Sequence, residues 1–151
     1  VFKKIKGFDN RLWPGEDPEF FSRAKNNGFK IAYSPNLVIY HRRRPDLFSL
    51  LKQHYKYGNV RLKKESINKK IVNPILILPA IFTLYIIALP FLLLISKGFF
   101  LPIKLHLIID IILGIYIALK KNILFLLFLP FIFFLIHFSY GLGMIVSLFE
   151  K

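Results

Sequence analysis

Two adjacent carboxylates, Glu16 and Asp17, lie at the start of the stretch in which reactive residue types are concentrated. Further along this stretch, His41 stands directly before three consecutive arginines, residues 42–44. The forked guanidinium groups of arginine suit phosphate oxygens. An acid and a cationic cluster, on a part of the chain that is tethered to a membrane, indicate group transfer from an anionic donor.

The local pattern predicts the elements that position these residues. Asp17 followed by a proline predicts a helix start, because aspartate caps free N–H groups and proline fits the first turn. Gly28 ends this helix, and residues 29–33 and 37–40 predict two short strands. A cap at Asp17, with Glu16 favoured by the helix dipole, would account for both acids without any chemistry.

The arginines also allow a second interpretation. A solvated face, or a patch that binds anionic lipid head groups, would be equally consistent with their charge. After them, Asp46 predicts the cap of a further helix, and residues 46–71 predict a basic amphipathic segment in the membrane interface. Gly58 is a candidate interruption of that helix.

Charge and hydropathy divide the chain into two unlike parts. Residues 1–71 contain 17 of the 22 Lys and Arg and six of the eight acids, whereas residues 72–151 are mostly Leu, Ile and Phe. The first part has the size of roughly half a domain. Because the sequence also does not begin with Met, we expect a fragment. The absence of Cys excludes disulfides and thiolate metal sites.

Three apolar segments predict membrane spans at about 75–95, 99–119 and 123–149. A bilayer core needs about 20 apolar residues, and the first and third segments carry no charge. The middle segment is predicted to insert only marginally, because Asp110 lies near its centre.

The polar residues of the spans leave alternatives open. Asp110 is either an interfacial or helix-paired carboxylate, or a polar group on a path for a lipid substrate. His106 and His137 are expected to serve in helix packing. No Gly-rich phosphate loop, zinc-ligand spacing, Ser-His-Asp arrangement or Asp-x-Asp pair is present. Nucleic acid is a poor partner despite the net charge of +14, because the charge adjoins the spans.

Four motifs, in this order and spacing, carry a resemblance to a known family. They are Gly7-Phe8-Asp9-Asn10, Glu16-Asp17, His41 with the arginines, and Gln53-His54-Tyr55-Lys56-Tyr57-Gly58-Asn59-Val60-Arg61. Residues 7–61 resemble the C-terminal half of the catalytic domain of family-2 glycosyltransferases, inverting enzymes with a GT-A fold. The last motif and the tail at 137–143 are similar to membrane-anchored members that build exopolysaccharide, such as the succinoglycan-type transferases.

The resemblance implies a fold and a domain order. Residues 1–45 would be an α/β fragment, the C-terminal part of a GT-A nucleotide-sugar transferase domain. Residues 46–71 would form the interfacial helix or linker, and residues 72–151 an α-helical transmembrane bundle. The nucleotide-binding strands would belong to a part outside this sequence, so that the chain would be inactive alone.

The resemblance also implies a reaction in which an acceptor hydroxyl attacks a nucleotide-activated sugar, with inversion at the anomeric carbon. Asp17 would be the general base, with Glu16 beside it. Mg²⁺ or Mn²⁺ would neutralise the leaving diphosphate, with its main ligands outside this sequence and His41 close to the diphosphate or the metal. The other residues expected to bind substrate are Trp13, Arg42, Arg44, Gln53 and Arg61.

These observations predict a membrane-bound glycosyltransferase of cell-surface polysaccharide biosynthesis. Its partners would be a nucleotide-sugar donor, a lipid-linked or glycan acceptor, and membrane lipids. The alternative is a non-catalytic anchor, in which the basic segment docks on a partner or on anionic lipid and Asp17 serves only as a helix cap.

The distribution of positive charge predicts the orientation in the plasma or inner membrane. Residues 1–71 and the lysines at 120 and 121 mark the cytoplasmic side. Three spans would then put the C-terminus outside, so a reporter fused after Lys151 should read outside the cytoplasm. A reporter fused before Val1 is the control and should read inside. A cytoplasmic signal from the C-terminal fusion would contradict this topology.

Overall fold

The computed structural model describes residues 1–40, 46–68 and 74–150. Within these ranges the chain forms five α-helices, several of them preceded by a short 3₁₀ helix. The α-helices are α1 (Glu16–Asn26), α2 (Leu47–Asn68), α3 (Leu78–Ile95), α4 (Leu101–Lys120) and α5 (Leu129–Ser147). The 3₁₀ helices are Asn10–Leu12, Pro74–Ile77, Lys97–Phe100 and Ile123–Leu127.

The α/β fold predicted for residues 1–45 is wrong, because the part of the chain that the structure describes is all helical and contains no strand. Residues 29–33 and 37–40, which were predicted as strands, are not paired in a sheet. Their side chains are largely exposed, and Tyr40 keeps 96% of its accessible surface. A strand is stable only beside a neighbour that pairs with its N–H and C=O groups. Neither segment has such a neighbour within the described ranges.

Aromatic side chains hold the N-terminal segment against α1. The ring centroids of Phe2, Phe8 and Phe20 are 4.8–5.6 Å apart. Such separations fall in the favourable range for tilted and edge-to-face aromatic pairs. Leu12, in the 3₁₀ helix that follows, is fully buried. This small apolar core fixes the position of the chain just before α1.

Arg23 of α1 ties the same segment down by hydrogen bonds. Its guanidinium group donates to both carboxylate oxygens of Glu19, each at 2.8 Å. It also donates to the backbone carbonyl oxygens of Ile5 and Gly7. The hydrogen bond with Glu19 raises the pKa of Arg23, so this clamp keeps its charge.

The start of α1 differs from the predicted cap. The N-cap residue is Gly15, which makes no side-chain cap hydrogen bond, and Asp17 is the second residue of the helix. A carboxylate at that position is still stabilised by the positive end of the helix dipole. The cap that would have explained Asp17 without chemistry is therefore not formed.

The predicted cap of α2 at Asp46 is confirmed. Its Oδ1 accepts a hydrogen bond from the N–H of Ser49 at 2.7 Å, and its Oδ2 accepts one from the Ser49 hydroxyl at 2.8 Å. These bonds hold the pKa of Asp46 below its usual value. The interruption expected at Gly58 is absent, because α2 is continuous from Leu47 to Asn68.

Three helical segments are long and apolar enough to cross a membrane: Ile75–Ile95, Lys97–Lys120 and Leu129–Ser147. In the most apolar stretch of each, only 11–17% of residues are buried inside the protein. Their large apolar side chains therefore face outward, as contact with lipid requires. The third helix is shorter than the predicted span at 123–149, because Ile123–Leu127 forms a 3₁₀ helix. The chain is thus compatible with an integral membrane protein.

The backbones of α2 and α5 approach each other closely at two glycines. Gly58 of α2 faces the carbonyl oxygen of Tyr140, and Gly143 of α5 faces the carbonyl oxygen of Tyr55. A methyl group on either glycine would overlap that oxygen. Ser139 adds a hydrogen bond between the helices, because its hydroxyl donates to a backbone carbonyl of α2 at 2.7 Å. This contact joins α2 to the apolar helices.

A similar approach joins α5 to α3. A Cβ atom on Gly141 would overlap the carbonyl group of Pro79 and the hydroxyl of Thr83. Thr83 is fully buried, and its hydroxyl donates to the carbonyl oxygen of Phe138 at 3.2 Å. Because the two glycines of α5 face different partners, this one helix packs against both α2 and α3.

Replacing Gly58 by alanine should lower the free energy of unfolding by about 1–3 kcal/mol, because the new methyl group forces two helix backbones apart. Thermal loss of helical circular dichroism in detergent measures the effect. Gly114→Ala is the matched control, because a Cβ atom on this helix glycine would meet only side-chain atoms, the ring of Pro130 at 3.2–3.3 Å and a methyl group of Leu126 at 3.5 Å. Equal losses in the two variants would contradict the close packing of α2 on α5.

Candidate functional site

A cleft of about 670 Å³ lies where the start of α1, the middle of α2 and α5 meet. The chain before and within the first turn of α1 contributes Trp13, Gly15, Glu16 and Asp17; α2 contributes Gln53, Tyr57, Val60 and Arg61; and α5 contributes Tyr140. Three segments that are far apart in the sequence therefore share one concave space. Its polar side chains are two acids on one segment and a cation, an amide and two phenols on the others.

Five of the eight residues predicted to act or to bind substrate line this cleft. They are Trp13, Glu16, Asp17, Gln53 and Arg61. The other three, His41, Arg42 and Arg44, lie outside the described residues. The structure thus brings together every predicted residue whose position it describes, while the role of each residue stays a prediction.

The two acids of the cleft have different surroundings. The Oε2 atom of Glu16 accepts a hydrogen bond from the N–H of Gly15 at 2.7 Å. Asp17 is exposed and has no hydrogen bond or ion pair with any residue that the structure describes. Both acids also line a second concavity of about 500 Å³, which extends to Phe8. The carboxylate of Asp17 is therefore available to a bound molecule, whereas that of Glu16 is held in place.

Two tyrosines of the cleft were missed by the sequence prediction. Tyr57 accepts a hydrogen bond at its hydroxyl from the amide of Gln53 at 2.7 Å. It lies one helical turn after Gln53, so helical spacing alone could have found it. Tyr140 belongs to α5, and only the packing of α5 against α2 brings it to the cleft.

Trp13 connects the chain before α1 to α2. The ammonium group of Lys56 lies 4.3 Å from the centroid of its ring, a cation–π contact. The indole is nevertheless 57% exposed. It therefore combines a fixed position with an accessible apolar surface at the edge of the cleft.

The described walls of the cleft do not by themselves supply a full ligand set for the Mg²⁺ or Mn²⁺ that the resemblance implies. Such ions take several oxygen ligands, whereas the described walls offer only two carboxylates, one of them bonded to Gly15. The single group of three metal-ligating side chains found in the described ranges lies elsewhere, in α4 and α5. His41, the predicted contact to the metal, lies outside those ranges.

No model of a known protein family, no curated protein and no solved structure matches this chain. Its class therefore rests on the fold and the cleft. They define a helical protein with three candidate membrane-spanning helices and a polar cleft that one of those helices helps to form.

Gly15→Ala should open the cleft at its α1 wall. Gly15 has φ +153°, and a Cβ atom there would lie 2.9 Å from the carbonyl oxygen of Leu12 and 3.2 Å from a methyl group of Val60. Backbone strain of about 1–3 kcal/mol and this crowding should push the start of α1 away from α2. Acrylamide should then quench the fluorescence of Trp13, the only tryptophan, more strongly.

Gly28→Ala is the matched control for this experiment. Gly28 also has a positive φ, +80°, but no atom lies within 4 Å of a Cβ atom built there. The strain is therefore similar and the contact with the cleft is missing. If both variants show the same quenching of Trp13, the contact of Gly15 with Val60 does not shape the cleft.

Proposed function

We propose that this protein is a membrane-bound glycosyltransferase that transfers a sugar from a nucleotide-sugar donor to a lipid-linked or glycan acceptor, with inversion. The observation that carries the proposal is the single cleft that contains Trp13, Glu16, Asp17, Gln53 and Arg61. Four of these residues belong to motifs that are separated along the chain and carry the resemblance, and Trp13 was expected to bind substrate with them, so their convergence supports a common site. The proposal rests on the motifs and the cleft and does not require an α/β fold.

Asp17 is the general base of the proposed reaction. The acceptor hydroxyl loses its proton to this carboxylate while its oxygen bonds to the anomeric carbon. The bond between that carbon and the diphosphate oxygen breaks, and the nucleoside diphosphate leaves. Exposure and the lack of a described partner leave the carboxylate of Asp17 able to accept the proton. Glu16, bonded to Gly15, positions the turn that presents Asp17.

The other cleft residues suit the two substrates. The guanidinium group of Arg61 matches the oxygens of a diphosphate. The exposed ring of Trp13 offers an apolar surface to the C–H face of a sugar. Tyr140 makes the candidate membrane helix α5 a wall of the cleft. An acceptor whose lipid tail remains in the bilayer could therefore reach Asp17.

The orientation across the membrane stays a prediction, with residues 1–71 cytoplasmic and the C-terminus outside. One contact bears on it directly. The side-chain amide of Asn59 in α2 donates to the carboxylate of Glu150, just after α5, at 2.9 Å. If α3, α4 and α5 each cross the membrane completely, α5 ends on the outer side. The contact can then form only if α2 lies beside α5 within the bilayer. If α2 lies in the cytoplasmic interface, the contact places the C-terminus on the cytoplasmic side, which the reporter after Lys151 would detect.

Asp17→Asn should abolish turnover while the protein remains folded. Loss of a general base lowers the rate by about 10²- to 10⁴-fold. The measurement is nucleoside diphosphate release by the complete gene product in membranes, with a panel of UDP-, GDP- and dTDP-sugars and membrane lipid extract as acceptor. Release that depends on one donor and is lost in Asp17→Asn supports the proposal.

Asp9→Asn is the control for this assay. Its carboxylate bonds the Arg11 guanidinium at 2.7 and 2.9 Å, which holds the pKa of Asp9 at about 2, and it does not line the cleft. The substitution removes the same charge from the same segment and should leave most activity. Wild-type rates in Asp17→Asn would refute the assigned base. No release from any donor would refute the transferase and favour the anchor function.

A further inference from the structure

A compact polar group lies among the apolar helices, away from the cleft. His106 and Asp110 stand one turn apart on α4, and His137 faces them from α5. One potential ligand atom from each of the three residues lies within 4.8 Å of the other two. Aromatic rings surround the group, with the centroids of Phe82 and His106 4.3 Å apart. Two histidines and a carboxylate thus converge in apolar surroundings.

Two atoms of this group lack a hydrogen bond. The side chain of Asp110 is 1% exposed, and its Oδ2 atom lies 3.2 Å from Nε2 of His106. Both atoms are buried, and neither makes a hydrogen bond with any residue that the structure describes. A buried carboxylate oxygen that accepts no hydrogen bond carries a desolvation cost, which a bound cation would offset.

His137 is oriented as metal-binding histidines are. Its Nδ1 atom lies 2.9 Å from the backbone carbonyl oxygen of Phe133. Nδ1 must carry the proton in this bond, since a carbonyl oxygen only accepts. The other ring nitrogen, Nε2, then has a free lone pair when the ring is neutral. A backbone carbonyl that fixes the tautomer in this way is a usual outer partner of a metal-ligating imidazole.

We propose that His106, Asp110 and His137 bind a divalent transition-metal ion of the zinc class. Two imidazoles and one carboxylate are a ligand set for zinc with a fourth position left open, whereas Mg²⁺ and Ca²⁺ prefer oxygen ligands throughout. Zinc bonds of about 2.1 Å at tetrahedral angles separate ligand atoms by roughly 3.4 Å. The 3.2 Å between His106 and Asp110 already fits, and the ligand atoms, which lie within 4.8 Å of one another, need a shift of at most about 1.4 Å to reach this separation.

Two of the three proposed ligands, His106 and His137, border a cavity. A mostly apolar cavity of about 630 Å³ between α3, α4 and α5 is lined by Phe82, Tyr85, His106 and His137. Water or an anionic group that enters this cavity could complete the coordination. The site shares no residue with the cleft, so the metal proposal and the transferase proposal stand or fall separately.

Zinc binding to the full chain tests the proposal directly. The protein is purified in detergent without an oligohistidine tag, stripped with a chelator, and titrated with Zn²⁺ by calorimetry. We expect one Zn²⁺ per chain. Asp110→Asn, which preserves the shape of the side chain, and His137→Ala should each weaken binding by at least about 10- to 100-fold.

His54→Ala is the matched control for His137→Ala. Nδ1 of His54 lies 2.9 Å from the carbonyl oxygen of Leu50, four residues earlier. His137 makes the equivalent contact with Phe133, but His54 does not belong to the group of proposed metal ligands. This variant should bind Zn²⁺ like the wild type. Because the chain has no Cys and only four His, few other strong sites compete.

Co²⁺ gives a second readout that does not depend on any variant. When Co²⁺ replaces Zn²⁺ in the wild type, the intense visible absorption of four-coordinate Co²⁺ should appear and vanish on addition of Zn²⁺. The proposal is overturned if the wild type binds no Zn²⁺ at one equivalent, or if Asp110→Asn and His137→Ala, folded by circular dichroism, bind as tightly as His54→Ala. It is also overturned if Co²⁺ shows only the weak absorption of an octahedral ion.

Discussion

The close approach of α2 to α5 is the contact on which the rest of the described structure depends. Gly58 and Gly143 lack side chains, and this lets each helix touch a backbone carbonyl of the other. Two helix backbones at this distance gain dispersion contacts along their whole crossing. They also gain the hydrogen bond of Ser139. The contact sets a basic amphipathic helix against an apolar one. It thereby brings Arg61 to the same space as Tyr140, although the two residues are 79 positions apart in the sequence.

The N-terminal segment completes the cleft through a second, smaller set of contacts. Gly15 approaches Val60 so closely that a Cβ atom on it would lie 3.2 Å from a Val60 methyl group, and the ring of Trp13 lies under the ammonium group of Lys56. Neither contact covers Asp17. The acid therefore sits on a segment held in a defined position but remains open to solvent. This combination distinguishes a binding cleft from a packed interface, in which the same acid would be paired or buried.

The polar group of α4 and α5 differs from the cleft, because its acid is shielded from solvent. Asp110 is almost completely buried among apolar helices, where a carboxylate that accepts no hydrogen bond is most costly. Water can solvate the acids of the cleft, but Asp110 needs a partner within the protein. His106 lies close enough without making a hydrogen bond, and His137 approaches from the neighbouring helix. A bound cation would satisfy all three side chains, and it would also join the two helices.

Features that depend on neighbours along the chain were determined by the sequence itself. The apolar segments long enough for a bilayer core follow from composition, and the helix cap at Asp46 follows from local hydrogen bonding. Both features could therefore be predicted from the sequence. The strands predicted at 29–33 and 37–40 failed because a strand needs a partner, which a local alternation of side chains does not supply. Gly58 was misread as a helix break, although its missing side chain serves a contact with another helix. The cleft and the group around Asp110 were decided only by tertiary structure, because both combine side chains from helices that are distant in the sequence.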